Sequence, residues 1–400
     1  MPGGSRQKPE VVLNKRMNQH NIQHARLHPV SSTDSESGPQ QSSPSEPGGE
    51  EEVQELPRPP PSIQSGAEHL DRVGLSTEEQ IEGEVVDDKH LEDNRAAARA
   101  STLVSQRHLR KAAHALASTT PILNPNVPEV LMKLKSQHPE CLSSLPPLPN
   151  QPTLHPLPSM KVVRRILTSS DNGASGGPSG WCGNMLSVLA EDDICVKALT
   201  ILIGNIINGN IPDTVAPHLL SCRLIALSKE NDGVRPIAIG ELLYRVAAAH
   251  VARSISDIAA LQLQPIQYAV GVPNGCERII HAISHSLTNK DKPLACLSVD
   301  FANAFNTIDR GLLLSKLYAC PDLEETFRIV HLAYSKPSAL NLGKGCKSPL
   351  QSSNGVRQGD PLSTLLFSLA VQDTYESVAR SADITPYAFV DDLQIVGTPS

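Results

Sequence analysis

The sequence lacks several features that would assign it to common protein classes. Its eight cysteines are scattered over 400 residues without a CxxC pair or a zinc-finger spacing, which argues against a structural zinc site and a disulfide framework. No apolar run is long enough for a membrane span. The first residues, MPGGSRQKPE, contain no signal-peptide core, so we expect a reduced, intracellular protein without a membrane anchor.

Charge is distributed unevenly along the chain, although the net charge is only −7. Residues 1–33 carry five basic residues and one acidic residue, and residues 34–94 carry three basic and seventeen acidic ones. Residues 95–165 then carry ten basic and two acidic residues. An acidic segment followed by a basic one is typical of interaction arms and says little about a fold.

Composition divides the chain into four predicted regions. Residues 1–94 are rich in Ser, Pro, Gly, Gln and Glu, and we expect them to be disordered. Residues 95–160 comprise a basic, alanine-rich helix and a Pro-rich extended connector with a short helix near 128–136. The basic helix is either solvated or turned towards nucleic acid. The folded part begins near Met160 and divides into residues 161–290 and 291–400.

Helical periodicity in the folded part predicts several helices. A Gly/Ser/Pro loop at Ser169–Gly180 precedes the first of them and could merely join two helices. The predicted helices are Trp181–Gly209, Glu241–Ala259, a helix within Gln267–Ser286, Arg310–Ala319, Leu323–Tyr334 and Leu362–Arg380. Asp360 and Pro361 read as the N-cap and first residue of the last helix.

Two adjacent aspartates near the end of the chain, Asp391 and Asp392, lie between β-prone apolar residues. This pattern predicts a hairpin with an acidic tip. Such a pair is often only a solvated turn, but its mutual repulsion also favours a bound cation. A further aspartate, Asp300, follows the predicted buried strand Pro293–Val299, where side chains re-emerge from a core. Together they form the minimum set for two-metal phosphoryl transfer.

A predicted hairpin at Ser221–Ile239 carries Lys229 and Arg235 on opposite arms of an Asn-Asp-Gly turn. Both side chains could reach a polyphosphate, or the hairpin could be a plain surface feature. The glycine-punctuated loop Ser352–Ser363 contains Gln358 and Gly359.

These blocks, in this order, resemble the reverse transcriptase family, and more closely its non-LTR retrotransposon type. The matching segments are RLIALSKENDGVRPIAI, QYAVGVPNGCERII, LSVDFANAFNTIDR, GVRQGDPLS and AFVDDLQIVG. The resemblance implies an α+β right-hand polymerase with fingers over 161–290 and an incomplete palm over 291–400, in which helices pack on an antiparallel sheet. The family's primer-gripping segment and thumb have no counterpart, so we expect a truncated chain without processive synthesis of its own.

The resemblance also implies roles for single residues. Asp300 and Asp391 would bind two Mg²⁺ ions, with Mn²⁺ as an alternative, and Asp392 would complete the catalytic set. Lys229 and Arg235 would hold the incoming deoxynucleoside triphosphate, and Gln358 and Gly359 would line the nucleotide and template. Phe305 would exclude a 2′-hydroxyl, although it could also serve as core packing.

Other interpretations stay open at this point. RNA-directed RNA polymerases share the palm but usually carry an aspartate where this chain has Phe305 and a glycine where it has Val390. Telomerase and intron maturases share the acidic signature. A non-catalytic nucleic-acid-binding remnant is a further alternative. The expected partners are an RNA template and a DNA primer, and a retroelement enzyme of this kind is expected in the nucleus. The oligomeric state does not follow from the sequence.

Overall fold

The structure, a computed structural model, describes residues 96–98, 100–101, 103–105, 109–117, 121–169, 175–229, 232–288, 294–343, 350–381 and 383–398. The predicted disordered region 1–94 lies outside these residues, as do Glu230 and Asn231 of the predicted hairpin turn. The described part is a mixed arrangement of helices and two sheets. Within it, no helix combines the length and apolar character needed to cross a membrane.

Thirteen α-helices and one short 3₁₀ segment, Pro321–Thr326, are found in the described part. The helices are α1 (Leu109–Ala117), α2 (Pro128–Ser136), α3 (Met160–Ser169), α4 (Gly183–Leu189), α5 (Asp193–Ile207), α6 (Ala216–Leu220), α7 (Leu242–Ser254), α8 (Ser256–Leu263), α9 (Gly275–Thr288), α10 (Ala304–Thr307), α11 (Arg310–Tyr318), α12 (Phe327–Tyr334) and α13 (Ser363–Ala379).

Five strands form the first sheet: β1 (Ile122–Leu123), β2 (Cys222–Lys229), β3 (Gly233–Gly240), β5 (Ser338–Asn341) and β6 (Leu350–Ser352). The antiparallel β2–β3 hairpin confirms the predicted one. Along the other edge of β2, β1 pairs antiparallel and β5 pairs parallel, and β6 continues the sheet beside β5. Alternate residues of β2 and β3 are buried against α2, whose Leu134 is completely buried.

Three antiparallel strands form the second sheet: β4 (Ala295–Val299), β7 (Ile384–Phe389) and β8 (Asp392–Gly397), in the order β4-β8-β7. On one face, Ile279 and Ile283 of α9 pack against Val396. Leu393 points to the opposite face and shares the main core with residues of α13. The sheet is therefore sandwiched between α9 and α13 at its β7–β8 side.

The prediction that the strand before Asp300 is buried is wrong. Strand β4 lies at the edge of the second sheet, and Leu297 is 61% exposed. Its neighbour Cys296 faces α9, whereas Leu297 lies on the opposite face and is largely exposed. An apolar run can indicate a strand, yet it cannot indicate whether both faces of that strand are covered.

Two predicted helices are each divided in the structure. The helix predicted over Trp181–Gly209 breaks into α4 and α5, because the Asp192 carboxylate accepts a hydrogen bond from the Cys195 amide at 2.7 Å and starts a new helix. The helix predicted over Glu241–Ala259 ends at Ser254, and α8 begins at Ser256.

The Pro-rich segment before Met160 has no helix or strand over residues 137–159, and it packs on the folded unit. His155 is 4% exposed. Its backbone N–H donates to the Asn208 side-chain oxygen at 3.0 Å, and the Asn208 amide donates back to the His155 carbonyl at 3.2 Å. Together with Leu134, these contacts extend the packed unit well before the predicted start near Met160.

Candidate active site

The predicted acidic residues meet at one end of the second sheet. Val299 of β4 pairs with Leu393 of β8, so the antiparallel register continued by one residue sets Asp300 opposite Asp392. Phe389 pairs with Asp392 across the hairpin, which leaves Val390 and Asp391 as a two-residue turn. Asp300 and the adjacent pair Asp391 and Asp392, which are far apart in sequence, therefore share one end of the second sheet.

The negative potential of this end is visible at its neighbours. Burial raises the pKa of Tyr375, and the carboxylates of Asp391 and Asp392 raise it further. Burial, Glu277 and Asp392 likewise raise the pKa of the Cys276 thiol at the start of α9. Both groups stay neutral at physiological pH and add no charge to the carboxylate cluster.

The residues fit a metal site that substrate would complete. Among the described residues, no group of three or more His, Cys, Asp or Glu side chains is close enough to hold a metal ion alone. Mg²⁺, however, is commonly held by one or two carboxylates together with water and substrate phosphates. Asp300 is exposed and Asp391 and Asp392 are half-buried, so solvent reaches all three residues.

The predicted cationic residues lie on one face of the first sheet. Lys229 pairs with Gly233, and Leu227 pairs with Arg235, so the two cations are diagonal neighbours on adjacent strands. Diagonal neighbours on one face are separated by roughly 7–8 Å. Both side chains are exposed, and both point away from the face that packs on Leu134. The two charges can thus act on one polyanionic ligand.

The loop Ser352–Ser363, which we call the glutamine loop after Gln358, contacts the β2–β3 hairpin through its backbone. The Ala238 amide of β3 donates to the Gln358 carbonyl at 3.0 Å. Gly359 has φ +124°, and a Cβ atom there would lie 2.6 Å from the Ala238 carbonyl oxygen. Only glycine permits this close approach, which fixes the loop against the free edge of β3.

On its other side, the same loop contacts the segment that follows Asp300. The Val356 amide donates to the Phe305 carbonyl at 2.7 Å. The Phe305 ring stacks on Phe367 of α13, with centroids 5.3 Å apart and planes 14° from parallel. The loop therefore lies between β3 of the first sheet and the helix α10 that follows Asp300, and Phe305 is half-buried there.

Comparisons with known proteins identify the family that this part of the chain matches. Residues 227–399 match the family described as reverse transcriptase (RNA-dependent DNA polymerase). That match begins in β2 and ends just after the acidic hairpin, so it spans all eight predicted site residues. Residues 227–399 are a reverse transcriptase domain. The domain belongs to the RNA-directed DNA polymerase family, as the sequence predicts.

Two relatives extend the similarity. The chain is 28% identical over 259 residues to the retrotransposable element SLACS 132 kDa protein of Trypanosoma brucei gambiense, covering 64% of this chain and 21% of that protein. It is also 28% identical over 165 residues to the transposon TX1 uncharacterized 149 kDa protein of Xenopus laevis, covering 38% and 13% respectively. The chain thus spans about a fifth or less of the relatives it matches.

A buried charged network holds the glutamine loop of the reverse transcriptase domain. Asp360 is not the N-cap that the sequence predicts, because α13 begins at Ser363 with Leu362 as its N-cap. One Asp360 carboxylate oxygen accepts from the Leu362 amide at 2.9 Å in the turn before the helix. The other oxygen accepts from Arg357 at 2.8 Å, from the Tyr244 hydroxyl at 2.7 Å and from the Tyr334 hydroxyl at 2.9 Å. The ion pair is almost fully buried, with both side chains 2% exposed.

The protonation states of this network follow from its surroundings. Burial lowers the pKa of the Arg357 guanidinium, but the two tyrosine rings and the Asp360 carboxylate together raise it well above its usual value. Burial and Asp360 also raise the pKa of the Tyr244 hydroxyl well above normal. The network therefore contains one cation, one anion and two neutral hydroxyl donors, so its charges cancel.

A second buried arginine ties the loop to the segment after Asp300. Arg310 is 1% exposed, and its guanidinium donates to the Gly355 and Ser352 carbonyls at 3.0 and 3.1 Å and to the Ser352 hydroxyl at 3.0 Å. Burial lowers its pKa to about 10, which still leaves it charged. Arg310 and Arg357 both lie over the Tyr334 ring, at 5.3 and 4.8 Å from its centroid.

Sequence reasoning did not find these supporting residues. Arg357 and Arg310 are ordinary basic residues in the sequence, and nothing local distinguishes them from exposed ones. The usable signal was the spacing of Arg357 and Asp360, since residues three apart around a tight turn can pair. The tyrosine partners come from distant elements and left no local signal.

Proposed function

We propose that the reverse transcriptase domain is an RNA-directed DNA polymerase of a non-LTR retroelement, which adds deoxynucleotides to a primer 3′-hydroxyl on an RNA template. The observation that carries the proposal is the convergence of Asp300, Asp391 and Asp392 at one end of the second sheet inside the matched domain. The second sheet with α9 and α13 corresponds to the palm, and the β2–β3 hairpin corresponds to the fingers.

In this proposal the carboxylates of Asp300 and Asp391 hold two Mg²⁺ ions, and Asp392 is the adjacent carboxylate of the set. When bound, such ions lower the pKa of the primer hydroxyl and neutralise the leaving pyrophosphate. Supporting evidence is the donor set itself: three carboxylates at one end of the second sheet, on residues that solvent reaches.

Lys229 and Arg235 are proposed to bind the triphosphate of the incoming nucleotide, because charge-assisted bonds to phosphate oxygens are strong. Gln358 and Gly359 are proposed to line the nucleotide and template from the neighbouring loop. Support comes from the shared face of the two cations and from the Ala238–Gln358 hydrogen bond that keeps the loop beside them.

Phe305 is proposed to exclude the 2′-hydroxyl of a ribonucleotide, and its packing on Phe367 would hold the ring in place for that role. Replacing it by alanine should increase the use of ribonucleotides relative to deoxynucleotides. Unchanged discrimination would remove Phe305 from the selection mechanism. Preferential use of ribonucleotides by the unaltered chain would favour an RNA polymerase instead.

The test is single-nucleotide incorporation on a DNA primer annealed to an RNA template, with the 400-residue chain in excess and Mg²⁺ or Mn²⁺ present. We expect Asp391→Asn to abolish incorporation, because an amide is a far weaker metal ligand than a carboxylate. The control is Asp257→Asn, an exposed residue in the first turn of α8. Equal incorporation by both variants would reject the metal assignment. Salt-dependent RNA binding without incorporation under either metal would instead favour a non-catalytic binding protein.

A further inference from the structure

The acidic turn contains an unusual backbone conformation. Val390 is the first of the two residues that connect β7 to β8, and its φ is +60°. A left-handed conformation is rare for any residue other than glycine and is a clear outlier for a β-branched one. Something outside the turn must therefore keep Val390 in this conformation.

The side chain of Gln267 supplies that restraint. The Val390 amide donates to the Gln267 Oε1 atom at 2.8 Å, and the Gln267 Nε2 atom donates to the Val390 carbonyl at 3.1 Å. The Tyr375 hydroxyl donates to the same carbonyl at 3.3 Å. Gln267 is 1% exposed and Tyr375 is fully buried, so water does not compete for these bonds. Both backbone polar groups of the strained residue are thereby satisfied.

Gln267 is itself fixed to the strand that precedes the turn. The Ala388 amide of β7 donates to the Ile266 carbonyl at 2.8 Å, and the Tyr268 amide donates to the Ala388 carbonyl at 2.8 Å. Residues 266–268 thus pair with β7 as a short parallel bridge. Because the backbone of Gln267 is held beside Ala388, its side chain reaches the turn two residues further along.

We propose that Gln267 is a positioning residue, which holds the Val390–Asp391 turn and thereby sets the direction of the Asp391 and Asp392 carboxylates. The proposal rests on the proposed polymerase function for its catalytic consequence, but its structural part can be tested alone. A glutamine suits this task because its amide offers one donor and one acceptor and carries no charge. A charged clamp would alter the electrostatics of two adjacent aspartates.

The first experiment measures backbone hydrogen exchange of the turn in the 400-residue chain. Gln267→Met keeps the length of the side chain but removes both bonds to Val390, so exchange of the peptide spanning residues 388–393 should accelerate about tenfold or more. The matched control is Gln372→Met, since Gln372 is also buried but bonds to Leu263 and Glu376 outside the turn. Equal exchange in both variants would overturn the proposal.

The second experiment asks whether the strained residue is the target. On the Gln267→Met background, Val390→Gly removes the steric cost of a positive φ, because glycine adopts that region freely. Mn²⁺ binding is measured as the loss of the free-ion paramagnetic resonance signal. We expect Gln267→Met to weaken this binding and the added Val390→Gly to restore much of the lost affinity. Failure to restore it would mean that Gln267 acts on something other than the turn.

Kinetics then separate this proposal from the proposed function. Gln267→Met should lower kcat for nucleotide incorporation about tenfold while leaving KM for the triphosphate nearly unchanged, because Lys229 and Arg235 lie on another sheet. Tyr375→Phe removes only one bond to the Val390 carbonyl and should have a smaller effect in the same direction, which keeps the test valid if Gln267→Met folds poorly. Faster hydrogen exchange in Gln267→Met, with no nucleotide incorporation by any variant or by the unaltered chain, would support the positioning role of Gln267 and reject the polymerase function.

Discussion

The acidic turn and the glutamine loop are both held in left-handed backbone conformations, but by different means. At the acidic turn, Val390 has φ +60° and is restrained by the neutral amide of Gln267. At the glutamine loop, Gly359 has φ +124° and is flanked by the buried ion pair of Arg357 and Asp360. The acidic turn has a valine, for which a positive φ is unfavourable, and an uncharged side chain restrains it. The glutamine loop has a glycine, which adopts a positive φ readily, and a charged pair restrains it.

The difference follows from the charge that each turn carries. Two carboxylates already lie at the acidic turn, so an added arginine would neutralise the groups proposed to bind metal. The two charged residues of the glutamine loop, Arg357 and Asp360, are buried and neutralise each other. A charged clamp is therefore tolerated beside the glutamine loop, whereas the acidic turn requires a clamp without net charge. Four predictions test this contrast.

The largest effect is expected at the buried ion pair. Arg357→Met leaves the Asp360 carboxylate buried without its cation, which should lower the free energy of unfolding by about 3–5 kcal/mol. The matched control is Lys336→Met, whose partner Asp213 is 90% exposed, and here the loss should stay below about 1 kcal/mol. Urea unfolding followed by circular dichroism measures both. Similar losses for the two variants would contradict the importance of the loop's clamp.

A smaller loss is expected at Gly359. Gly359→Ala combines a positive φ with a Cβ atom only 2.6 Å from the Ala238 carbonyl oxygen, so we expect a loss of about 1–3 kcal/mol and a raised KM for the nucleotide. Gly343→Ala is the control, because Gly343 also has a positive φ, +93°, but no described atom lies within 4 Å of its added Cβ. The difference between the two isolates the contact with β3. No difference in unfolding or in KM would show that this contact is unimportant.

The cationic face should respond through substrate binding. Lys229→Ala and Arg235→Ala should each raise KM for a deoxynucleoside triphosphate about tenfold, with little change in stability, because both side chains are exposed. The increase should shrink at higher salt, since salt screens exposed charges. Lys336→Ala, an exposed lysine paired with Asp213, serves as the control. A loss confined to kcat would argue for a role at the acidic turn instead.

The smallest effect is expected in the pH dependence of stability, through a histidine that lies outside both the acidic turn and the glutamine loop. Burial, then His155 and Arg253, lower the pKa of His250 below its ordinary value. The folded state therefore resists protonation of His250, and stability is lost as pH falls from the unfolded-state value near 6.5 towards the lower folded-state pKa. His250→Gln should reduce the drop in Tm between pH 7.5 and 5.5 without altering hydrogen exchange of residues 388–393. An unchanged drop in Tm would show that His250 does not contribute.

Local sequence patterns predicted much of the framework. The β2–β3 hairpin and α2 occur where alternation and helix signals indicated them, and the paired aspartates lie at a hairpin tip. These features depend on residues that are close together in the sequence, so their propensities and spacing can be used to predict them. Asp360 shows the limit of such reasoning: the predicted N-cap is instead Leu362, and one Asp360 oxygen accepts from Tyr244, 116 residues away.

The remaining site features depend on tertiary packing. Gln267 and Val390 are 123 residues apart, and nothing in either local segment indicates that an amide will clamp a turn. The exposed side of β4 could not be predicted for a similar reason, because coverage of a strand is decided by helices elsewhere in the chain. Residues that hold a site are therefore harder to predict than residues that form it.

Tyr334 lies between the two buried arginines, one bound to residues 352–355 and the other to Asp360. Arg310 and Arg357, which hold the two ends of the glutamine loop, therefore both pack on the same aromatic ring. Displacing that ring would disturb the contact with Phe305 and the contact with Ala238 together. The packing around Phe305, which is proposed to select the sugar of the nucleotide, and the placement of the loop on β3 therefore both depend on this ring.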